Sequence, residues 1–162
     1  MSNSQGGDVS ANSRRVVVTG IGLVSPCGNS VLESWESILA GRSGIDTIQA
    51  FDASEYDSRI AGEVKGFDPL EYMDKKEARR TDRSVQLALA AAAEAMSDFG
   101  DGDYEHERFG SIVGSGIGGI RTFENQHSIL LEKGPSRISP FFIPMMISDM
   151  AAGQLSIRYD LK

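Results

Sequence analysis

Apolar residues along the chain fall into short blocks whose spacing alternates between two kinds. Val16-Val17-Val18 is a β-branched run that ends in Thr19-Gly20-Ile21-Gly22, the pattern of a buried strand entering a glycine turn. Ser30 then stands three residues before Glu33, the capping-box spacing, and Leu32, Trp35, Ile38 and Leu39 repeat with helical period up to Gly41. From Ile45 to Phe67 the apolar residues are broken by Gly, Asp and Ser, which predicts irregular structure with a short strand near Ile60 to Val64. Pro69 to Arg83 is dominated by charge. Val85 to Phe99 follows as a helix rich in alanine, ended by Gly100, whose small side chains would let a neighbour approach closely and so place it between layers.

After the acidic connector Asp101 to Glu107, Phe109 to Val113 reads as a second buried strand running into Gly114-Ser115-Gly116-Ile117-Gly118-Gly119. Ile120, Phe123, Ile129 and Leu130 mark a helix that stops at Gly134-Pro135. Met145 to Leu155 forms one further amphipathic segment beyond Phe141-Phe142-Ile143. Strands alternating with helices give an α/β protein with a parallel or mixed sheet covered by helices.

Composition narrows the function. A net charge of −7 gives no global support for nucleic-acid or anionic-membrane binding, and no apolar run approaches the ~20 residues that span a bilayer. Met1 to Ser13, with Asp8 as its only charge, lacks the basic and apolar regions of a secretory signal and is expected to be a disordered extension. Cys27 is the only cysteine, which excludes an internal disulfide and favours a reducing, cytoplasmic compartment.

Few residues carry recognisable chemistry. Gly114, Gly116 and Gly119 fit G-x-G-x-x-G between a strand and a helix, the context of a dinucleotide fingerprint. The strand lies deep in the chain, however, and no acidic residue ends a second strand about 20 residues on; tight backbone packing beside a cavity is the competing reading. Thr19 to Gly22 lacks the further glycines of a short-chain dehydrogenase, since Val24 and Pro26 stand in their places. Cys27 has no base close to it in sequence that would favour its thiolate. His106 and His127 are too far apart for a helical metal pair, and no G-x-S-x-G elbow is present. Lys75, Lys76, Arg79, Arg80 and Arg83 form the single basic cluster. They are either a solvated face paired with Asp74, Glu77 and Asp82, or a docking patch for an acidic partner.

Taken together, six blocks resemble β-ketoacyl-acyl-carrier-protein synthase II, the elongating condensing enzyme of fatty-acid synthesis. They are Arg15-Val-Val-Val-Thr-Gly-Ile-Gly, Ser25-Pro-Cys-Gly-Asn, Gly41-Arg-Ser-Gly-Ile, Lys76-Glu-Ala-Arg-Arg-Thr-Asp, Gly114-Ser-Gly-Ile-Gly-Gly and Ser139-Pro-Phe-Phe-Ile-Pro, in family order from Arg14 to Lys162. The resemblance implies a thiolase-like fold layered α-β-α-β-α, with residues 14–162 as an incomplete N-terminal half. It implies decarboxylative condensation of acyl- and malonyl-loaded acyl carrier protein through an acyl-cysteine, supported by two histidines and a lysine, without a cofactor or metal.

The family nucleophile would lie beyond Lys162, and Cys27, His106 and His127 match none of the catalytic positions. No catalytic residue is therefore carried over, and the 162 residues alone are expected to be inactive. By resemblance, Ile117 lines the acyl pocket and gates chain length, while Phe142 belongs to the segment that reaches the homodimer interface and the partner's pocket. Lys76, Arg79 and Arg80 match the carrier-protein docking patch. The alternatives are a non-catalytic partner subunit like the chain-length factors, and a nucleotide-binding module.

Overall fold

The computed structural model describes residues 15–100 and 104–162. The expected disordered extension, residues 1–13, lies outside them. Six α-helices, one small hairpin and three single-turn 3-10 helices make up the regular structure of the described residues, the first two kinds being α1 (Val31–Leu39), β1 (Asp46–Thr47), β2 (Ile60–Ala61), α2 (Lys75–Ala78), α3 (Arg83–Phe99), α4 (Ile120–Lys133), α5 (Phe142–Met146) and α6 (Met150–Tyr159). The strands pair antiparallel, with Asp46 opposite Ala61 and Thr47 opposite Ile60.

Helix α1 starts where the capping residues place it. The Ser30 hydroxyl accepts the Glu33 N–H at 3.2 Å, but the Glu33 carboxylate reaches back to the N–H of Asn29, one residue earlier than a standard box. Its buried residues are Ser34 and Ser37, which bond the Ser25–Gly28 turn, whereas Leu32, Trp35, Ile38 and Leu39 face outward.

Helix α3 is the axis of the core. Val85 and Leu89 pack with Ala151 and Leu155 of α6 and with Met73, and Leu89 is wholly buried. On another face its alanines admit the chain before α1: a Cβ on Gly20 or Gly22 would overlap the carbonyl oxygens of Ala95 and Ala91. Only glycine permits that approach. Carboxylates complete the contact, for Asp98 accepts the N–H of Ile21 at 3.0 Å and Glu94 accepts those of Leu23 and Val31, each at 2.9 Å.

Two expected strands are corrected. Neither Val16–Val18 nor Phe109–Val113 belongs to a ladder, and both expose side chains: Val16 is 92% and Ile112 fully accessible. Strand-type residues do not create a strand without a second backbone in register, and the described residues place none beside these runs. Phe109–Val113 instead rests on α6, where Ser111 Oγ donates to the Ala152 carbonyl at 2.8 Å.

The segment expected to run from Met145 to Leu155 is two helices. Ile147 leaves the helical region (ψ 141°), and the Met146 carbonyl accepts the N–H of Gly119 instead of continuing a helical ladder.

Candidate functional site

The glycine loop and the α5–α6 break build a pocket between them. Gly118, at φ +76°, and Gly119 sit so close to α5 that a Cβ on either would overlap the carbonyl oxygens of Met146 and Met145. The Gly119 N–H donates to Met146 O at 2.8 Å, and Ser115 Oγ accepts the Gly118 N–H at 2.9 Å. Seated in this way, the loop and the start of α4 border an open cavity of about 420 Å³ with Ile117, Ile120, Phe123, Met146, Ile147 and Ser148 as lining. Five of the six are apolar and none is titratable. Such a surface suits an alkyl chain and offers nothing to a phosphate. The third glycine of G-x-G-x-x-G thus meets the protein's own backbone.

Ile117, the expected acyl-pocket residue, is one of the residues lining this cavity. Phe142 is one step removed: it does not line the cavity, but its ring lies 6.2 Å from that of Phe123, which does. On its other side Phe123 stacks on His127.

The basic cluster meets the head of α5, where Lys76 and Arg80 border a surface shared with Phe141 and Pro144. Lys75, Lys76, Arg79 and Arg80 are exposed, and among the described residues none of them has an ion pair within 4.0 Å. The carboxylates that could have paired with them are engaged elsewhere. Asp74 caps α2 through the N–H groups of Lys76 and Glu77, Glu77 holds Arg158 at 2.6 Å, and Asp82 caps α3. The two backbone bonds draw the Asp74 carboxyl below its ordinary range, helped by the charges of Lys76 and Arg80. Arg80 lies 4.2 Å over the ring of Phe141, fixing one cation of the patch against the start of α5. Arg83 turns away, over Phe67 at 4.6 Å, where burial and then the charge of Arg121 lower its pKa.

The remaining chemistry-bearing residues stand apart. Cys27 sits in the Ser25–Gly28 turn, with Sγ 4.0 Å from the Arg42 carbonyl, and lines none of this cavity. His106 and His127 are exposed, His106 lying 3.2 Å from the Asp160 carbonyl. Among the described residues, no three His, Cys, Asp or Glu side chains gather to hold a metal, and no helix is long and apolar enough to cross a membrane.

Sequence reasoning missed Ile120 and Phe123 as lining and Asp82 as a structural carboxylate. The signals were present in the i, i+3 apolar pair opening α4 and in the Asp that directly precedes α3.

Residues 13–162 match the family model described as "Beta-ketoacyl synthase, N-terminal domain", and the chain belongs to that family. Among curated relatives, the 3-oxoacyl-[acyl-carrier-protein] synthase 2 of Staphylococcus aureus is 50% identical over 154 residues, 94% of this chain and 37% of its own. The solved ishigamide ketosynthase/chain length factor superposes with a TM-score of 0.76 at 27% identity, over 91% of this chain and 38% of that one. A β-ketoacyl synthase from Burkholderia phymatum gives 0.74 at 26% identity, over 93% and 38%. The fold is thus part of a thiolase-like ketosynthase fold, and the chain spans a little over a third of the curated relatives it matches.

Proposed function

We propose that this chain contributes the acyl-pocket wall, the carrier-protein docking patch and a subunit contact to a 3-oxoacyl-[acyl-carrier-protein] synthase. The whole enzyme elongates acyl-carrier protein by condensation with malonyl-carrier protein. A cysteine thiolate outside these 162 residues attacks the acyl thioester and expels the carrier's thiol. Loss of carbon dioxide from the malonyl group then supplies the carbanion equivalent that attacks the acyl-cysteine, and the thiolate leaves. Residues 1–162 alone carry none of that chemistry.

The observation that carries this reading is the apolar cavity at Ile117, held in one frame with a set of unpaired cations. A growing alkyl chain gains about 0.8 kcal/mol per methylene covered by such walls. Lys76, Arg79 and Arg80 steer an acidic carrier protein to the frame's outer side. The segment of Phe142 reaches a second copy, so the enzyme is a homodimer, and its compartment is the cytoplasm.

In the full-length enzyme, Arg79→Glu with Arg80→Glu raises KM for the acyl-carrier protein about tenfold or more while leaving kcat within about twofold, the behaviour of lost uniform binding. An unchanged KM refutes the docking assignment. A non-catalytic partner subunit is the second reading, favoured by the likeness to a ketosynthase/chain length factor. Mass spectrometry of the full-length protein after exposure to acyl-carrier protein separates the two, because only the enzyme becomes acylated on cysteine.

A further inference from the structure

One carboxylate caps two helices. Asp82 is 5% exposed and is the N-cap of α3, where Oδ1 accepts the N–H and the hydroxyl of Ser84, both at 2.9 Å. Its other oxygen serves α4. Gly119, the N-cap of α4, has no side chain with which to satisfy the first turn, and Asp82 Oδ2 accepts the N–H of Thr122 at 3.1 Å and its hydroxyl at 2.6 Å. Thr122 is the third residue of α4, whose N–H a helix's own N-cap side chain commonly takes. Asp82 thus supplies in trans the cap that Gly119 cannot.

The position of this bond gives it a functional reach. Thr122 lies between Ile120 and Phe123, both on the cavity wall, and Gly119 is pinned between Asp82 and α5. On the other side Asp82 stands two residues after Arg80, and Gln86 ties that linker down through the carbonyls of Ala78 and Thr81. Arg80 in turn meets Phe141 at the head of α5, whose Met146 closes the pocket. The contacts form a ring from patch to α5, to the glycine loop, to Asp82 and back to the patch.

We infer that Asp82 is a positioning residue for acyl-chain selectivity, which holds the Ile117 wall in register with the docking patch through Thr122. The inference rests on the acyl-pocket reading given above. Without the Oδ2 bonds, the start of α4 and the glycine loop are held from the α5 side only, and the wall yields to chains it would otherwise exclude.

The test uses the full-length enzyme with D82N, T122V, I117F and the double variant D82N/I117F. It measures kcat/KM over carrier-bound acyl donors of increasing length, together with thermal midpoints. Asn keeps one acceptor and puts an amide donor in the other position, so it cannot serve the donor pairs of both Ser84 and Thr122, while T122V removes only the hydroxyl bond on the α4 side. D82N is expected to reduce the discrimination between the preferred donor and longer ones about tenfold, the scale of lost charge-assisted hydrogen bonds, with T122V shifting it in the same direction by less. The I117F penalty on long donors should shrink in the D82N background, the coupling that a shared wall requires.

If I117F alters the length profile while D82N and T122V leave it intact, the inference fails and the acyl-pocket reading stands. A loss of activity uniform across lengths, with a lowered midpoint, overturns it equally, since that is what a purely structural cap would give. An I117F enzyme with an unaltered profile removes the pocket reading and the inference together. Should D82N not fold, T122V decides the question alone.

Discussion

A polypeptide of these 162 residues should self-associate when expressed by itself, and the structure sets the scale. Its accessible surface is 12106 Å². A folded monomer of 17.5 kDa exposes about 7,900 Å². The largest allowance that residues 1–14 and 101–103 could need is about 2,500 Å². The described residues therefore expose on the order of 2,000 Å² more than their mass accounts for, the area of an obligate interface. Much of it is apolar: Val16, Val18 and Ile112 are 92%, 79% and 100% accessible, and the outward face of α1 carries Leu32, Trp35 and Leu39. Covering each of the first three contributes about 1.5–3 kcal/mol. Replacing them together (V16K, V18E and I112K) should weaken association by a factor of about 10³ or more. Sedimentation velocity at micromolar protein reads both parts: oligomers for the unaltered polypeptide and a shift towards monomer for the triple variant. A monomer with a sharp cooperative melt before any substitution would refute the reasoning.

Three shorter predictions concern the full-length enzyme. Cys27→Ser retains condensing activity within about twofold, because the thiol lies in a turn away from the Ile117 cavity; loss of the acylated species on this substitution would make Cys27 the nucleophile. Leu89→Ala, which empties the centre of the α3–α6 contact, costs about 2–5 kcal/mol, seen as a lowered urea midpoint; an unchanged midpoint would contradict the packing. Asp74 has a depressed pKa, so the cap of α2 is present above 3.8 and is lost as pH falls through the folded-state value below it; a carboxyl resonance titrating at or above 3.8 would contradict the capping geometry.

The parts of the fold legible in the sequence were those fixed by local chemistry. Ser30 and Glu33 marked the start of α1 within a residue, the alanine run marked α3, and Gly134-Pro135 marked the end of α4. Local rules failed where a distant group decided the outcome. Val16–Val18 and Phe109–Val113 have strand composition, but a ladder depends on a partner that composition does not supply. The break after Met146 depends on Gly119, 27 positions earlier in the chain, which takes its carbonyl. At the site, Ile117 was reachable from the family pattern of the glycine loop. Phe123 and Asp82 carried local signals, an apolar i, i+3 pair and an Asp before α3, but what each meets is decided only once α4 is folded against α5 and α3.

The glycines follow the same logic. A G-x-G-x-x-G loop at a helix start commonly signals phosphate, since glycines let a ligand reach backbone N–H groups. Here the N–H of Gly119 is spent on Met146 and that of Thr122 on Asp82, so these two donors at the start of α4 are turned inward. Their absence of side chains serves a different purpose, bringing α5 against the loop closely enough for Met146 to become pocket wall. Gly20 and Gly22 do the same for the chain before α1, seating it on the alanines of α3. In both places glycine sets a distance between protein layers. What fills the space left beside Ile117 is then decided by Ile120, Phe123 and Ile147, whose apolar surfaces favour a hydrocarbon over a nucleotide.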